Sequence, residues 1–206
     1  MKITLIDAGK RFNRDWIFRH LNYEFSTGHS YAITGPNGSG KSTLLQSIAG
    51  AIGISEGRID YAAPVGSAIA PEHAYRHLSL AAPYLQLIEE MSVTEFLHFH
   101  AAFKPFLPGY SIAEIIRRVG LETAADKQIR YYSSGMKQRV RLAQALFSDS
   151  SLLLLDEPCT NLDTDGIELY RSLIREITAD RVVIVSSNDL QEYDFCREKI
   201  NIMGYK

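Results

Sequence analysis

The stretch Gly35-Pro36-Asn37-Gly38-Ser39-Gly40-Lys41-Ser42 constrains this chain more than any other feature, because it satisfies G-x-x-x-x-G-K-[ST] in the context that pattern requires. Ser30–Thr34 reads as a strand running into the loop, and Ser42–Ala49 reads as a helix that starts directly after it and ends near Gly50. A glycine-rich turn between a strand and a helix aims several backbone N–H groups at one point, and the helix N-terminus adds its positive dipole. Lys41 is then placed to reach the β- and γ-phosphates of a nucleotide, and the Ser42 hydroxyl to ligate Mg²⁺. Gly35 through Ser42, with Thr43 beside them, are the candidate nucleotide-binding residues.

Leu152-Leu153-Leu154-Leu155 is an apolar run that stops at Asp156-Glu157-Pro158. A buried strand of this kind delivers both carboxylates at its C-terminal end, beside the phosphate loop of a parallel sheet. Asp156 suits the metal, and Glu157, one residue further, suits the polarisation of an attacking water. Beyond it the pattern alternates: helix over about Asp165–Thr178, strand Val182–Ser186, a short helix, then strand Lys199–Met203. The front of the chain, Ile3 to Thr34, is mostly period two with Leu21, Tyr23 and Phe25 on one face and a turn at Asn13-Arg14-Asp15. The middle differs, because two S-x-x-E capping boxes, Ser92 with Glu95 and Ser111 with Glu114, open successive helices, and Gly120 is placed to end the second.

The expected fold is therefore α/β: a phosphate-loop core with a mainly parallel sheet, an antiparallel β element at its N-terminal side, and an inserted helical subdomain. One domain spans 1–206, with 1–82 and 149–206 forming the core and about 83–148 the helical part. The loops Ala62–Ala74 and Lys104–Pro108 read as irregular and carry no assigned chemistry.

Composition narrows the partners. At 206 residues, 46% hydrophobic and 22% charged, the chain matches a folded globular domain. Lys plus Arg number 22 against 24 for Asp plus Glu, and a net charge of -2 gives no broad positive field, so no nucleic acid is expected. The two cysteines, Cys159 and Cys196, lack CxxC spacing and fit a reducing compartment. No signal peptide and no run of about 20 apolar residues is read, so any membrane span is expected from another chain. His98 and His100 lie two apart on a helix, roughly 200° around its axis, and do not share one ion.

Tyr132-Ser133-Ser134-Gly135-Met136-Lys137-Gln138-Arg139 precedes an amphipathic stretch reaching Phe147 and makes a second anion-binding helix start. Phosphate loop, helical insertion, this segment and Asp-Glu-Pro occur in that order, and over nearly its whole length the chain resembles the ATP-binding subunit of an ABC transporter. The family's L-S-G-G-Q signature maps onto Tyr132 to Met136, and Thr160-Asn161-Leu162-Asp163 is similar to its D-loop. The resemblance implies ATP and Mg²⁺ as cofactors and Phe12 as the aromatic stacking on adenine; Trp16, on the turn side of the hairpin, reads as a residue packed on the sheet. The resemblance also implies a second ABC ATPase subunit whose Ser133, Ser134 and Gly135 act in trans, with Asp163 at the junction. A separate multi-span permease is the implied partner, and the expected location is peripheral on the cytoplasmic face of the membrane.

Three positions depart from the family pattern. Ala82-Pro83-Tyr84 puts Tyr84 where the Q-loop carries Gln, with Gln86 two residues on. Asn188, in Val185-Ser186-Ser187-Asn188-Asp189, stands at the switch histidine, and all six histidines lie elsewhere. Ser134 and Met136 replace Gly and Gln in the signature. An Asn amide still donates a hydrogen bond but carries no proton, which leads to the expectation of a slow ATPase in isolation. The alternatives are a soluble ABC-type ATPase of repair or translation, and a nucleotide-dependent regulator with little turnover.

Overall fold

The computed structural model describes residues 1–178 and 180–206. β1 (Lys2–Phe12) and β2 (Asp15–Ser26) open the chain as a hairpin; Asn13 takes φ 53°, a left-handed conformation that Asn tolerates. β3 (Ser30–Thr34) leads through the glycine-rich loop into α1 (Lys41–Ile48), and β4 (Glu56–Ala62) and β5 (Ala68–Ile69) follow. A 3-10 turn, Pro71–His77, precedes β6 (Leu78–Ala81). Helices α2 (Val93–Ala101), α3 (Ile112–Arg118) and α4 (Ser134–Phe147) come next. β7 (Leu152–Asp156), α5 (Thr164–Ile177), β8 (Val182–Ser186), α6 (Leu190–Tyr193) and β9 (Glu198–Asn201) complete the order.

The strands form two sheets, an antiparallel one in the order β2-β1-β4-β5 and a parallel one in the order β6-β7-β8-β3-β9. The parallel sheet explains its own sequence. Leu152 to Leu155 are all fully buried, because both faces are covered and neither alternate position meets water. Leu153, Leu155, Val183 and Val185 pack with Phe96, Ile115, Val140 and Phe147 of the helical side. Leu152, Leu154, Val182 and Ile184 pack with Leu44, Leu45 and Ile48 of α1 and with Ile3, Leu5, Phe18 and Phe25 of the antiparallel sheet.

Local sequence signals account for most element ends. Ser92 and Glu95 form the complete reciprocal cap on α2. Ser111 caps α3 through the Glu114 amide, but the Glu114 carboxylate pairs with Arg117 instead of reaching back, so the second box is an N-cap alone. Gly120, at φ 67°, follows the end of α3 as expected. The segment read as irregular between Ala62 and Ala74 holds β5 and the start of the 3-10 turn. The last strand stops at Asn201 rather than Met203, because the Asn201 side chain accepts the Met203 N–H at 3.0 Å and turns Ile202–Tyr205 into a 3-10 coil.

One buried cation ties the helical side to the sheet. Arg181 is 4% exposed; it donates to the Leu146 carbonyl at 2.7 Å and to the Ser148 carbonyl. Burial lowers it to about 10, which leaves it protonated at neutral pH. Arg181→Met is expected to destabilise the protein by about 2–4 kcal/mol, since two carbonyls lose a charged donor. Urea unfolding at neutral pH checks this, and an unchanged midpoint would refute the clasp.

Candidate nucleotide-binding site

The site begins with strand order. β7, β8 and β3 are neighbours, with Asp156 opposite Ser186 and Ser186 opposite Ile33, so their carboxyl ends lie side by side. Loops leaving such ends form the ligand crevice of an open parallel sheet. Here they are the glycine-rich loop, Ser187–Asp189 and Glu157–Asp163. The ladder continues past the strands: the Glu157 amide donates to the Ser186 carbonyl at 2.9 Å, and the Ser187 amide to the Ile33 carbonyl at 3.2 Å.

A cleft of about 240 Å³ lies there, lined by Ile17, Asn37, Gly38, Gly40, Lys41, Ser42, Thr43 and Glu157. Gly40 takes φ 97°, and a Cβ on it would lie 2.2 Å from Ile17 Cγ2, so conformation and space both require glycine. Lys41 is 4% exposed and its ammonium donates to the carbonyls of Gly35 at 2.9 Å and Pro36 at 3.3 Å, holding the loop closed on itself. Asn188 Nδ2 donates to Asn37 Oδ1 at 3.1 Å, which brings the segment after β8 against the phosphate loop. Glu157 sits at φ 44°, a left-handed conformation costing a non-glycine residue roughly 1–2 kcal/mol. That strain carries its side chain out of the strand direction and into the cleft lining.

Three buried polar atoms around this crevice have no partner: Ser39 Oγ, Asp156 Oδ1 and Ser186 Oγ. Asp156 is 2% exposed, and a buried carboxylate oxygen left unpaired fits a hard divalent cation with oxygen ligands.

A second cleft, of about 330 Å³, is lined by Ser133, Ser134, Gly135, Met136, Arg139, Asn161 and Asp163 and shares no residue with the first. Ser133 caps α4 by accepting the Met136 N–H at 3.2 Å. Asp163 caps α5 by accepting the Gly166 N–H at 2.9 Å, and Arg139 reaches the same oxygen at 3.4 Å. A Cβ on Gly135 would lie 2.9 Å from the Asn161 carbonyl oxygen, so the two segments approach as closely as backbones allow. Gly135→Ala is expected to displace the 160–163 loop and lower ATP turnover about tenfold, with ATP affinity of the isolated chain unchanged. Turnover equal to the unmodified protein would show that the loop gives way freely.

Residues 18–160 match the family model described as ABC transporter. This chain is a member of the ABC transporter family. The uncharacterized ABC transporter ATP-binding protein YhcH of Bacillus subtilis (strain 168) is 31% identical over 205 residues, which cover 98% of this chain and 66% of YhcH. This chain thus spans about two thirds of that relative. The cytochrome c biogenesis ATP-binding export protein CcmA of Xylella fastidiosa (strain 9a5c) is 35% identical over 154 residues, covering 75% of this chain and 68% of CcmA. In fold, a solved ATP-binding subunit of an ABC transporter superposes with a TM-score of 0.81 at 24% identity, over 98% of this chain and 86% of that one. The chain is an ABC transporter ATP-binding domain, a domain type that hydrolyses ATP.

Set beside the ABC pattern, the departures acquire positions. The Tyr84 phenol faces Asp156 and Gln46; desolvation and the Asp156 charge push it up to about 12, so it is neutral at any physiological pH. Gln86 is exposed, and of the two residues it is Tyr84 that faces Asp156. Phe12 ends β1 with its ring 47% exposed and Lys10 Nζ 4.9 Å above it, and it does not line the first cleft; Ile17 does. Trp16 packs on the sheet over Gly9, between the guanidinium groups of Arg11 and Arg19. His98 is exposed, whereas His100 bonds Ser148 Oγ at 2.8 Å and burial lowers it to about 4. No helix among the described residues is long and apolar enough to cross a membrane. Sequence reasoning missed Ile17, whose only signal is its place on the returning strand of the first hairpin.

Proposed function

We propose that this chain works as one of a pair of ABC ATPase subunits, binding Mg²⁺-ATP between its own phosphate loop and its partner's signature segment, and driving transport through a separate multi-span permease. The observation that carries the reading is the presence of two distinct half-sites on one chain. The cleft lined by Lys41, Ser42 and Glu157, with Asp156 at the end of the strand just before Glu157, and the separate cleft lined by Ser133, Ser134 and Gly135 support this division of labour. A head-to-tail pair completes both.

In this arrangement Gly35 to Thr43 bind the phosphates, Phe12 stacks on adenine, and Lys41 and Asn188 donate to the γ-phosphate. Ser42 and Asp156 would hold Mg²⁺, which when bound would supply charge neutralisation at the phosphates. Glu157 orients the attacking water, and Asp163 lies at the subunit junction. The helical insertion around Tyr84 to Phe103 is the part that engages the permease from the cytoplasmic face, in keeping with the export role in the CcmA name. With Asn188 and Ser134 in place of the usual His and Gly, the isolated subunit turns over slowly.

The test is co-purification. Tagged Glu157→Gln, incubated with solubilised membranes of the source cell plus ATP and Mg²⁺, is expected to retain a stoichiometric multi-span protein. Retention of ribosomes, DNA-repair proteins or a soluble ATPase alone would overturn the transport reading and leave the ATP chemistry standing.

A further inference from the structure

Glu192 is a buried acid that the nucleotide cleft does not use. It lies on α6, just past Asn188, and is 4% exposed. Its Oε1 accepts the Cys159 N–H at 2.6 Å, while its Oε2 is buried without a partner. Its own amide donates to the Asp189 carbonyl at 3.1 Å, and its carbonyl accepts the Tyr170 hydroxyl at 2.8 Å. The residue is thereby held through both of its backbone groups and through one carboxylate oxygen.

The peptide it holds belongs to a strained turn. Cys159 stands between Glu157 at φ 44° and Asn161 at φ 65°, two non-glycine residues in the left-handed region. Two bonds close the turn, Thr160 N–H to the Glu157 carbonyl at 3.1 Å and Leu162 N–H to the Cys159 carbonyl at 2.9 Å. Asn161 in turn supports Gly135 of the signature segment. At the other end α6 follows Ser187–Asp189, where the Asp189 amide donates to Ser187 Oγ at 2.9 Å and Asn188 bonds Asn37. Desolvation, with the charges of Asp189 and Glu157, raises the Glu192 carboxyl to about 7 against the pull of the Ser187 hydroxyl and the Cys159 amide.

We propose that Glu192 is a positioning residue for ATP hydrolysis, locking the 157–161 turn to the segment carrying Asn188, so that the water-orienting carboxylate, the γ-phosphate donor and the loop beneath the signature keep one geometry. This rests on the ATPase reading above. Neither Glu192 nor Cys159 lines the nucleotide cleft, so the effect falls on turnover and not on binding.

Glu192→Leu removes the acceptor at similar volume, and Glu192→Gln retains an acceptor oxygen for the Cys159 N–H. The Leu variant is expected to lose about tenfold or more in kcat with KM for ATP within about twofold, because a small displacement of a reacting group is enough for such a loss. The Gln variant is expected to recover most of kcat. Hydrogen exchange of the Cys159 amide supplies a readout without nucleotide: faster in the Leu variant, unchanged in the Gln variant. A Leu variant with normal kcat, a Gln variant as impaired as Leu, or unchanged Cys159 exchange in the Leu variant would each overturn the proposal. If the unmodified protein shows no ATP turnover, the ATPase reading fails, and the exchange result alone then decides whether Glu192 holds this turn.

Discussion

Glu157→Gln is expected to lower ATP turnover by about 10²–10³-fold while leaving ATP binding intact. The substitution keeps the shape of the side chain and asks the backbone to hold the same left-handed conformation at φ 44°, so the amide occupies the place of the carboxylate in the cleft lining. What it removes is the negative charge that draws a proton from the attacking water. Lys41, Ser42 and the loop amides are left as they are. If hydrolysis is what reopens the paired subunits, the variant accumulates as a dimer in ATP and Mg²⁺, seen by size-exclusion chromatography with light scattering. Turnover at the unmodified rate would remove Glu157 from the reaction; low turnover without dimer would remove the trans-acting signature.

Lys41→Ala is the counterpart, acting on binding. Nucleotide at 100 times its Kd stabilises a protein by about 2.7 kcal/mol, which for a domain of this size raises Tm by roughly 5–10 °C. The alanine variant is expected to lose most of that shift. The Lys41 ammonium also bridges the Gly35 and Pro36 carbonyls, so the baseline Tm of the variant falls as well and is measured separately. A full ATP-dependent shift in Lys41→Ala would take the phosphate-binding role away from this loop.

How much of this was legible in the sequence depended on whether the signal was local. The glycine-rich loop, the leucine run of β7 and the Ser92 cap each carry their physics within a few residues, and the structure follows them closely. Asp156 and Glu157 were readable because a buried strand ends at them. The short β5 and the bend at Asn201 were not, since two residues hold no period and one side-chain cap outcompetes a strand that alternation would continue. Ile17 and Glu192 were invisible for another reason. Ile17 matters because it meets Gly40, and Glu192 because it meets Cys159, contacts made across 23 and 33 positions of chain. In Asp189-Leu190-Gln191-Glu192 the last acid reads as an ordinary solvated residue of a short helix.

The alternation along β7 has a consequence for reading variants of this protein. Leu154 belongs to the cluster under α1 and the antiparallel sheet, and Leu155, its neighbour, to the cluster under α4 and α5. Trimming the first loosens the floor on which the phosphate loop stands; trimming the second loosens the helices that carry the signature segment. Two adjacent positions of identical chemistry therefore report to different halves of the molecule, and the side of the sheet, more than distance along the chain, decides which half-site a core substitution disturbs.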